Sequence, residues 1–184
     1  MERGGEMKKQ KPTYKGVEYD SQEEIEIAMW IEEGVEAGLI MPKVIYQPEA
    51  YELSPKQTKT VLKQLKTKSK QVEKHLLHPH KYTADFHFRI ALEGLKLMHI
   101  FTGSIDAYNV IVDVKGAFNQ HGGDREFSIN QKWTYEKYGV FVNKVIPEKL
   151  FKSTWCPQGA RLTSKTRQIK KKYAKCKTIE EFLK

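Results

Sequence analysis

The spacing of hydrophobic positions changes along the chain, and these changes predict a mixture of helices and strands. Between Ser21 and Gly38, apolar residues recur at three- and four-residue spacing, which predicts an amphipathic helix. Ser21 is a suitable N-cap for it and Gly38 a suitable C-terminal stop. The apolar stripe consists of Ile27, Ala28, Ile31 and Val35. Because Glu26 and Glu33 fall on the opposite side, we expect both carboxylates to be solvated.

Glu24 is in line with this apolar stripe, at its N-terminal end. A carboxylate at this position is either a partner of the helix dipole or part of a functional site. Helix geometry alone favours the first interpretation, and the sequence leaves both open.

Alternation of apolar and polar residues marks the strands that follow. Lys81 to Ile90 alternates throughout and predicts a half-buried strand with Asp85 at its centre. A second strand is expected at Leu95 to Phe101, and a third ends in the run Val110 to Gly116. Together these segments predict an antiparallel meander of three strands.

The run Val110 to Gly116 ends with two charged residues on one face. Asp113 and Lys115 alternate with valines, so the two-residue period of a strand brings them together beside Ile111. Charged residues are depleted from strands. This stretch alone is compatible with an ion pair at a sheet end and with a functional site.

A further helix is predicted from Phe127 to Tyr138, followed by a strand from Val140 to Ile146. Gln131 and Tyr135 are four residues apart and therefore share one face of that helix. Their spacing alone favours the polar edge of a packed helix.

Two lysine-rich segments carry much of the positive charge. Ser54 and Pro55 begin a predicted helix that extends to about His75, with Glu73 as its only acid. Four lysines share one face of this helix, where they either contact phosphates or form a solvated surface. These are Lys59, Lys63, Lys66 and Lys70. The second segment comprises residues 158–177, which have the composition of a linker. Its candidate DNA-contacting residues are Arg161, Lys170, Lys171 and Lys172.

The 184-residue chain has a formal net charge of +9 and a pI near 9.4, which favours a polyanionic partner, nucleic acid first. No apolar run approaches the about 20 residues of a membrane span, and residues 1–12 lack the apolar centre of a signal peptide. We therefore expect a cytoplasmic protein without membrane contact. Cys156 and Cys176 are too few for a disulfide framework or a zinc site, so we expect them to be reduced.

The length suits a single domain with extensions. We expect a flexible arm at residues 1–13, a core at 14–157 and a basic extension at 158–184 that ends in a short helix. The basic helical insertion at 54–80 lies within the core.

Glu24, Asp85 and Asp113 together supply three carboxylates, which suits a hard-oxygen site for Mg²⁺ or Mn²⁺. Such an ion lowers the pKa of a bound water and polarises a phosphoryl oxygen. Lys115, beside Asp113, is placed to orient the attacking water and to offset negative charge in the transition state.

This ordered set resembles the PD-(D/E)xK nuclease superfamily. The matching motifs are S-x-x-E at Ser21 to Glu24, Y-x-A-D-F at Tyr82 to Phe86, and D-x-K-G at Asp113 to Gly116. The chain is similar to small phage and bacterial members, of the Holliday-junction-resolvase-like branch, that share the G-x-x-[FY]-D-S-x-x-E opening at Gly16 to Glu24 and a QP-containing strand at 47–48. The resemblance covers about residues 14–151.

The resemblance implies an α/β fold with a restriction-endonuclease-like core, in which helices flank a mixed central sheet that includes the antiparallel meander. It implies divalent-metal-dependent hydrolysis of phosphodiester bonds, with Asp85 and Asp113 as metal ligands and Glu24 alongside. Gln131 and Tyr135 match a Q-x-x-x-Y pattern found on the following helix of some members, which makes them auxiliary site residues.

Two positions depart from the superfamily pattern. Asp113 stands where glutamate is commoner, and Ala84 stands where a proline usually precedes the strand aspartate. Both variations are tolerated in the superfamily, so the implied activity does not change.

Three hypotheses follow for the function. The first is a Mg²⁺-dependent endonuclease acting on duplex or branched DNA; the second is a non-catalytic nucleic-acid-binding accessory protein; the third is an RNA-directed or recombination accessory protein without metal dependence. Asp113 and Lys115 beside Asp85 favour the first, because a binding module gains nothing from carboxylates that face phosphates. The sequence leaves open the DNA substrate, endonuclease against exonuclease action, and monomer against homodimer.

Overall fold

The computed structural model describes residues 10–116, 123–163 and 165–184, so most of the predicted N-terminal arm lies outside the described residues. The strands are β1 (Thr13–Tyr14), β2 (Val17–Glu18), β3 (Ile45–Tyr46), β4 (Tyr51–Ser54), β5 (Gln57–Gln64), β6 (Ser69–Leu77), β7 (His80–Tyr82), β8 (Phe86–Arg89), β9 (Asn109–Val114) and β10 (Val142–Val145). The helices are α1 (Gln22–Glu36), α2 (Gly123–Tyr138), α3 (Pro147–Ser153), α4 (Gln158–Arg161) and α5 (Ile179–Leu183), with 3-10 turns at Leu92–Leu97 and Lys171–Tyr173. The protein is therefore a mixed α/β structure.

The central sheet is mixed and has the strand order β10-β9-β8-β3. β8 pairs antiparallel with both β9 and β3, whereas β10 pairs parallel with β9. A parallel neighbour needs a crossover connection, and α2 lies in the segment that joins β9 to β10. β9 is thus an interior strand whose alternate residues face two different layers.

Two apolar clusters cover the two faces of this sheet. Val110, Val112 and Val114 pack with α1 and with α3 in the larger cluster. Ile111 and the α2 residue Phe127 belong to the smaller one. Since successive side chains of a strand point to opposite faces, α1 and α2 lie on opposite sides of β9.

The first helix forms as its sequence predicts. Ser21 has extended backbone angles and its side chain accepts a hydrogen bond from the Glu24 N–H, as an N-cap does. The helix ends at Glu36, and Gly38 follows with a positive φ of 74°, which a glycine adopts without strain. Glu26 departs from the prediction, because it is buried rather than solvated. The Tyr173 hydroxyl donates a hydrogen bond to it and Lys170 forms an ion pair with it.

The predicted three-stranded meander is wrong in its middle strand. β8 pairs directly with β9, with Phe88 opposite Val110, so no strand lies between them. The segment predicted as a strand at Leu95 to Phe101 begins inside the 3-10 turn instead and buries Leu97 and Phe101 in the larger cluster.

The strand predicted over Lys81 to Ile90 is divided in two. β7 pairs with β4, whereas β8 pairs with β9 and β3. Asp85 therefore lies in the break immediately before β8 and not at the centre of a strand. The break occurs because the chain changes its pairing partner at this point.

The predicted basic helix is also wrong, because β5 and β6 form an antiparallel hairpin over this segment. The β-branched residues Thr58, Thr60, Val61 and Val72 favour a strand. A helix would have had only a thin apolar stripe to bury, whereas the hairpin pairs Val61 with Val72.

The segment predicted as a linker at 158–177 packs onto the core. Tyr173 and Cys176 are buried in the larger cluster, together with Ala160 of α4. Both cysteines are free and buried, as expected. None of the helices in the described ranges has the length and apolar character needed to span a bilayer.

Candidate active site

The end of β9 and the segment before β8 bring two aspartates together. The Asp85 N–H donates a hydrogen bond to the Val112 carbonyl over 3.0 Å. The Val114 N–H in turn donates to Asp85 Oδ2 over 2.5 Å. Because Val114 directly follows Asp113, the carboxyl group of Asp85 lies against the backbone that carries Asp113.

Asp113 is almost fully buried, with 3 % of its surface exposed. The Tyr82 hydroxyl donates a hydrogen bond to its Oδ2 over 2.6 Å. Lys115 forms an ion pair with Oδ1. Within the described residues, Oδ1 is buried and accepts no hydrogen bond of normal geometry, so the Lys115 ammonium is the group that compensates its charge.

The environment of Asp85 opposes ionisation. Burial is the main cause that raises the pKa of this carboxyl group to about 7; the negative charges of Asp113 and Glu24 add to it, and the Val114 N–H and Lys115 oppose it. Burial, followed by the charge of Asp113, also raises the pKa of the Tyr82 hydroxyl. The raised pKa of Asp85 shows that a second negative charge beside Asp113 is unfavourable without a compensating cation.

Glu24 is held by hydrogen bonds at the start of α1. Its Oε1 accepts from the Ser21 hydroxyl over 2.8 Å. Its Oε2 accepts from the Tyr46 hydroxyl over 2.8 Å and from the Asp20 N–H over 3.1 Å. Glu24 thus serves the helix N-terminus, although its charge is close enough to act on Asp85.

The first turn of α1 also meets the end of β9. A Cβ atom added to Gly116 would lie 3.5 Å from Glu23 Oε1, so the D-x-K-G motif runs directly beneath the helix start. This contact explains how a residue of α1 and a residue of β9 come to share one site.

Three supporting side chains were not expected from the sequence. Tyr82 orients Asp113 and Tyr46 orients Glu24. Gln47 donates its N–H to the Asp85 carbonyl and its side-chain amide to Asp20. The motifs Y-x-A-D-F and QP contain Tyr82 and Gln47, but nothing in their spacing reveals which carboxyl group each would contact.

The predicted auxiliary residues are not brought to the two aspartates by any described contact. The Gln131 side-chain amide donates to the Val142 carbonyl over 2.6 Å. Tyr135 is 58 % exposed and its ring lies near Phe141. Both residues therefore support the β10 edge, as their spacing alone favoured.

The two predicted DNA-contacting sets have different outcomes. Three of the hairpin lysines remain on one exposed face, as described below, whereas Lys66 falls between the two strands. In the C-terminal set, Lys170 and Lys172 form ion pairs with the buried Glu26, and part of the Arg161 guanidinium is buried. Lys171 stays exposed. Lys170 and Lys172 therefore have a partner within the fold, and their contact with DNA stays a prediction.

Glu24 already accepts three hydrogen bonds, and its role as a third metal ligand beside Asp85 and Asp113 stays a prediction. Within the described ranges, no group of three or more His, Cys, Asp or Glu side chains has an arrangement suited to a metal ion. Mg²⁺ needs only one or two protein carboxylates, because water and substrate phosphate complete its octahedron. Asp85 and Asp113 would be the two carboxylates for such an ion, and Asp113 Oδ1 has Lys115 as its ion-pair partner.

The arrangement thus places a half-buried and a buried aspartate near each other, with the Lys115 ammonium paired to the second. These residues alone carry the interpretation, since comparison with protein-family models, curated proteins and solved structures finds no match to this chain.

Proposed function

We propose that this chain is a divalent-metal-dependent DNA endonuclease with a restriction-endonuclease-like core. The observation that carries the proposal is that the half-buried Asp85 lies against the backbone of the buried Asp113, which pairs with Lys115, at one end of a mixed sheet. Carboxylates that are partly or fully buried destabilise a fold unless a cation or a proton compensates them. Lys115 compensates Asp113, so a bound cation would be most favourable beside Asp85.

A divalent cation bound by Asp85 and Asp113 would polarise the phosphoryl oxygen and lower the pKa of a bound water. The side chains around it have separate tasks. Tyr82 fixes the Asp113 carboxylate through Oδ2, which leaves Oδ1 for the cation. The Val114 N–H fixes Asp85 in the same way.

Lys115 has two partners in this scheme. It forms an ion pair with Asp113, and beside a bound cation its ammonium would orient the attacking water and offset negative charge in the transition state. Because the pKa of Asp85 is about 7, metal binding competes with protonation of Asp85 below that pH. We therefore expect activity to rise with pH between about 6 and 8.

DNA is the proposed substrate because the charge of the chain favours a polyanion. The formal net charge is +9, and the exposed lysines of β5 and β6 provide contacts to a phosphate backbone. Duplex and branched DNA both fit this description.

The second candidate is a non-catalytic nucleic-acid-binding accessory protein. It is favoured by Glu24, whose carboxylate already accepts three hydrogen bonds, and by the Lys115 ion pair, which compensates Asp113 without any metal. In that case Asp85 would be about half protonated near pH 7 and the site would have only a structural role.

Cleavage assays separate the two candidates. Plasmid and a synthetic four-way junction are incubated with Mg²⁺, with Mn²⁺ and with EDTA, using wild type, Asp113→Asn and the control Glu93→Gln, which changes an exposed carboxylate. We expect metal-dependent products from wild type and the control and none from Asp113→Asn. Binding without cleavage in every metal would instead identify the accessory protein.

A further inference from the structure

The hairpin of β5 and β6 carries a regular charge pattern on one face. Its register sets Lys59 opposite Lys74, Val61 opposite Val72, and Lys63 opposite Lys70. Directly opposed residues share a face, as do every second residue along each strand. One face therefore presents a lysine pair, a valine pair and a second lysine pair.

The opposite face of the hairpin has another composition. It presents threonine, glutamine and serine side chains together with Leu62 and His75, and it carries the one acid of the two strands, Glu73, which lies opposite Thr60. The face with the lysine pairs thus has no acidic residue that would neutralise its positive charge. All four lysines of that face are exposed.

The hairpin forms a two-stranded sheet by itself, and nearly all of its residues are exposed on both faces. Leu62 and Leu77 are 73 % and 62 % exposed. A two-stranded hairpin that buries so little is marginally stable in water, so a protein gains little from this one unless it binds something.

The hairpin is also connected closely to the aspartates. β4 leads into β5, and β6 leads into β7. β4 and β7 pair with each other, and Tyr82 at the end of β7 donates its hydroxyl to Asp113. A ligand held by the hairpin is therefore held by the same ribbon that orients the candidate active site.

The dimensions of the lysine face match a DNA groove. Lys59 and Lys63 are four residues apart, which is about 13 Å along a strand. The major groove of B-form DNA is about 12 Å wide and admits a two-stranded ribbon. The two lysine pairs are thus separated by about the distance between the phosphate rails that border this groove.

We propose that the β5–β6 hairpin crosses the major groove of B-form duplex DNA. Lys59 and Lys74 contact one phosphate rail, Lys63 and Lys70 contact the other, and the two valines face the groove between them. The choice of DNA as the polyanion rests on the proposed function, whereas binding by the lysine face does not require cleavage.

The test uses two variants with the same change of charge. The hairpin variant replaces the four lysines Lys59, Lys63, Lys70 and Lys74 with glutamine. The control variant replaces four exposed lysines of the C-terminal segment with glutamine, namely Lys165, Lys175, Lys177 and Lys184. Affinity for a 24-base-pair DNA duplex is measured over a salt series in EDTA, so that no cleavage takes place.

For the hairpin variant we expect the slope of log K against log salt to become less negative by about 3.6, because four phosphate contacts are lost at about 0.9 each. The slope of the control variant should differ from that of wild type by no more than about 0.9, which corresponds to one phosphate contact. An equal fall in both variants, or an unchanged slope in the hairpin variant, would overturn the proposal.

A duplex RNA of the same sequence tests the groove itself. The major groove of A-form RNA is deep and too narrow for side chains to enter, so the hairpin variant should lose much less affinity for RNA than for DNA. An equal loss of affinity for DNA and RNA would mean that the hairpin binds any polyanion through charge alone, and it would refute the placement in the major groove.

Equal urea unfolding midpoints for both variants and wild type would show that the exposed substitutions leave the fold intact. Cleavage by wild type in Mg²⁺ is recorded separately. A changed salt slope without any cleavage supports the hairpin and contradicts the nuclease, whereas Asp113-dependent cleavage with an unchanged slope does the reverse.

Discussion

Replacing Asp85 with asparagine should stabilise the metal-free protein above pH 7. The pKa of Asp85 is raised from 3.8 to about 7, chiefly by burial and then by the charges of Asp113 and Glu24. Between these two values the native state holds a proton that the unfolded state has lost. The unfolding free energy therefore falls as pH rises from about 4 to about 7, and the loss is complete above that range.

The size of this effect follows from the two pKa values. A difference of about 3 in pKa corresponds to about 4 kcal/mol, which is an upper limit because the denatured state and water penetration reduce it. Asparagine keeps an oxygen that can accept the Val114 N–H bond and removes the charge. We expect Asp85→Asn to unfold with about 2–4 kcal/mol more free energy than wild type at pH 8, and with about the same free energy at pH 4.

Urea unfolding in EDTA, at half-unit steps from pH 4 to pH 9, measures both curves. For a chain of this length each kcal/mol is worth about 3 °C in Tm, so thermal melting should show an increase of about 6–12 °C at pH 8. Parallel curves for variant and wild type would mean that Asp85 titrates normally and is not buried beside other charges. Asp106→Asn is an unsuitable control because Asp106 caps a loop, whereas the exposed Glu93→Gln should leave the pH profile unchanged.

Magnesium should offset, at pH 8, the loss of unfolding free energy that ionisation of Asp85 causes in wild type. A ligand that binds only the native state stabilises it by about 2.7 kcal/mol at one hundred times its Kd. Mg²⁺ should therefore stabilise wild type at pH 8 and have little effect at pH 5, where Asp85 is protonated. Asp85→Asn should lose most of this stabilisation at every pH, and equal stabilisation of both proteins would place the ion elsewhere.

The remaining predictions concern three charged residues. Lys115→Gln should slow single-turnover cleavage about a hundredfold while Mg²⁺ still raises the Tm; an unchanged rate would make Lys115 structural. Glu24→Gln should lower the unfolding free energy by about 1–2 kcal/mol, because Glu24 accepts hydrogen bonds at the start of α1, and the rate per folded molecule should change only a few-fold. Glu26→Gln should lower the unfolding free energy by about 2 kcal/mol, whereas a solvated glutamate would change it by less than about 0.5 kcal/mol.

Local signals in the sequence predicted α1 and the charged end of β9 correctly. Ser21 and Gly38 limit the helix through backbone preferences that need no tertiary contact. Asp113 and Lys115 follow from the two-residue period of a strand, and their ion pair confirms that they share a face. The position of Asp85 was harder to predict, because it depends on which strand the chain pairs with before and after the break.

The burial of Glu26 could not be predicted from the helix pattern alone. On α1 it lies opposite the apolar stripe, where solvent is the usual neighbour. Its burial depends on a segment almost 150 residues away in sequence, which covers that side with Tyr173 and supplies Lys170 and Lys172 as ion-pair partners. Because the same segment is rich in lysine, charge alone suggested an exposed DNA-binding extension.

The number of lysines in the segment 54–80 is the same whether it forms a helix or a hairpin, but the face on which each lysine lies is different. On a helix, Lys59, Lys63, Lys66 and Lys70 would share one face. On the hairpin, Lys66 leaves this group and Lys74 joins it, because the register places Lys74 opposite Lys59. A substitution series designed on the helix would therefore alter only three of the four lysines on the exposed face. The ion pairs of Lys170 and Lys172 with Glu26 likewise depend on the tertiary fold, whereas the hairpin lysines are exposed and lead through β7 to Tyr82, which contacts Asp113.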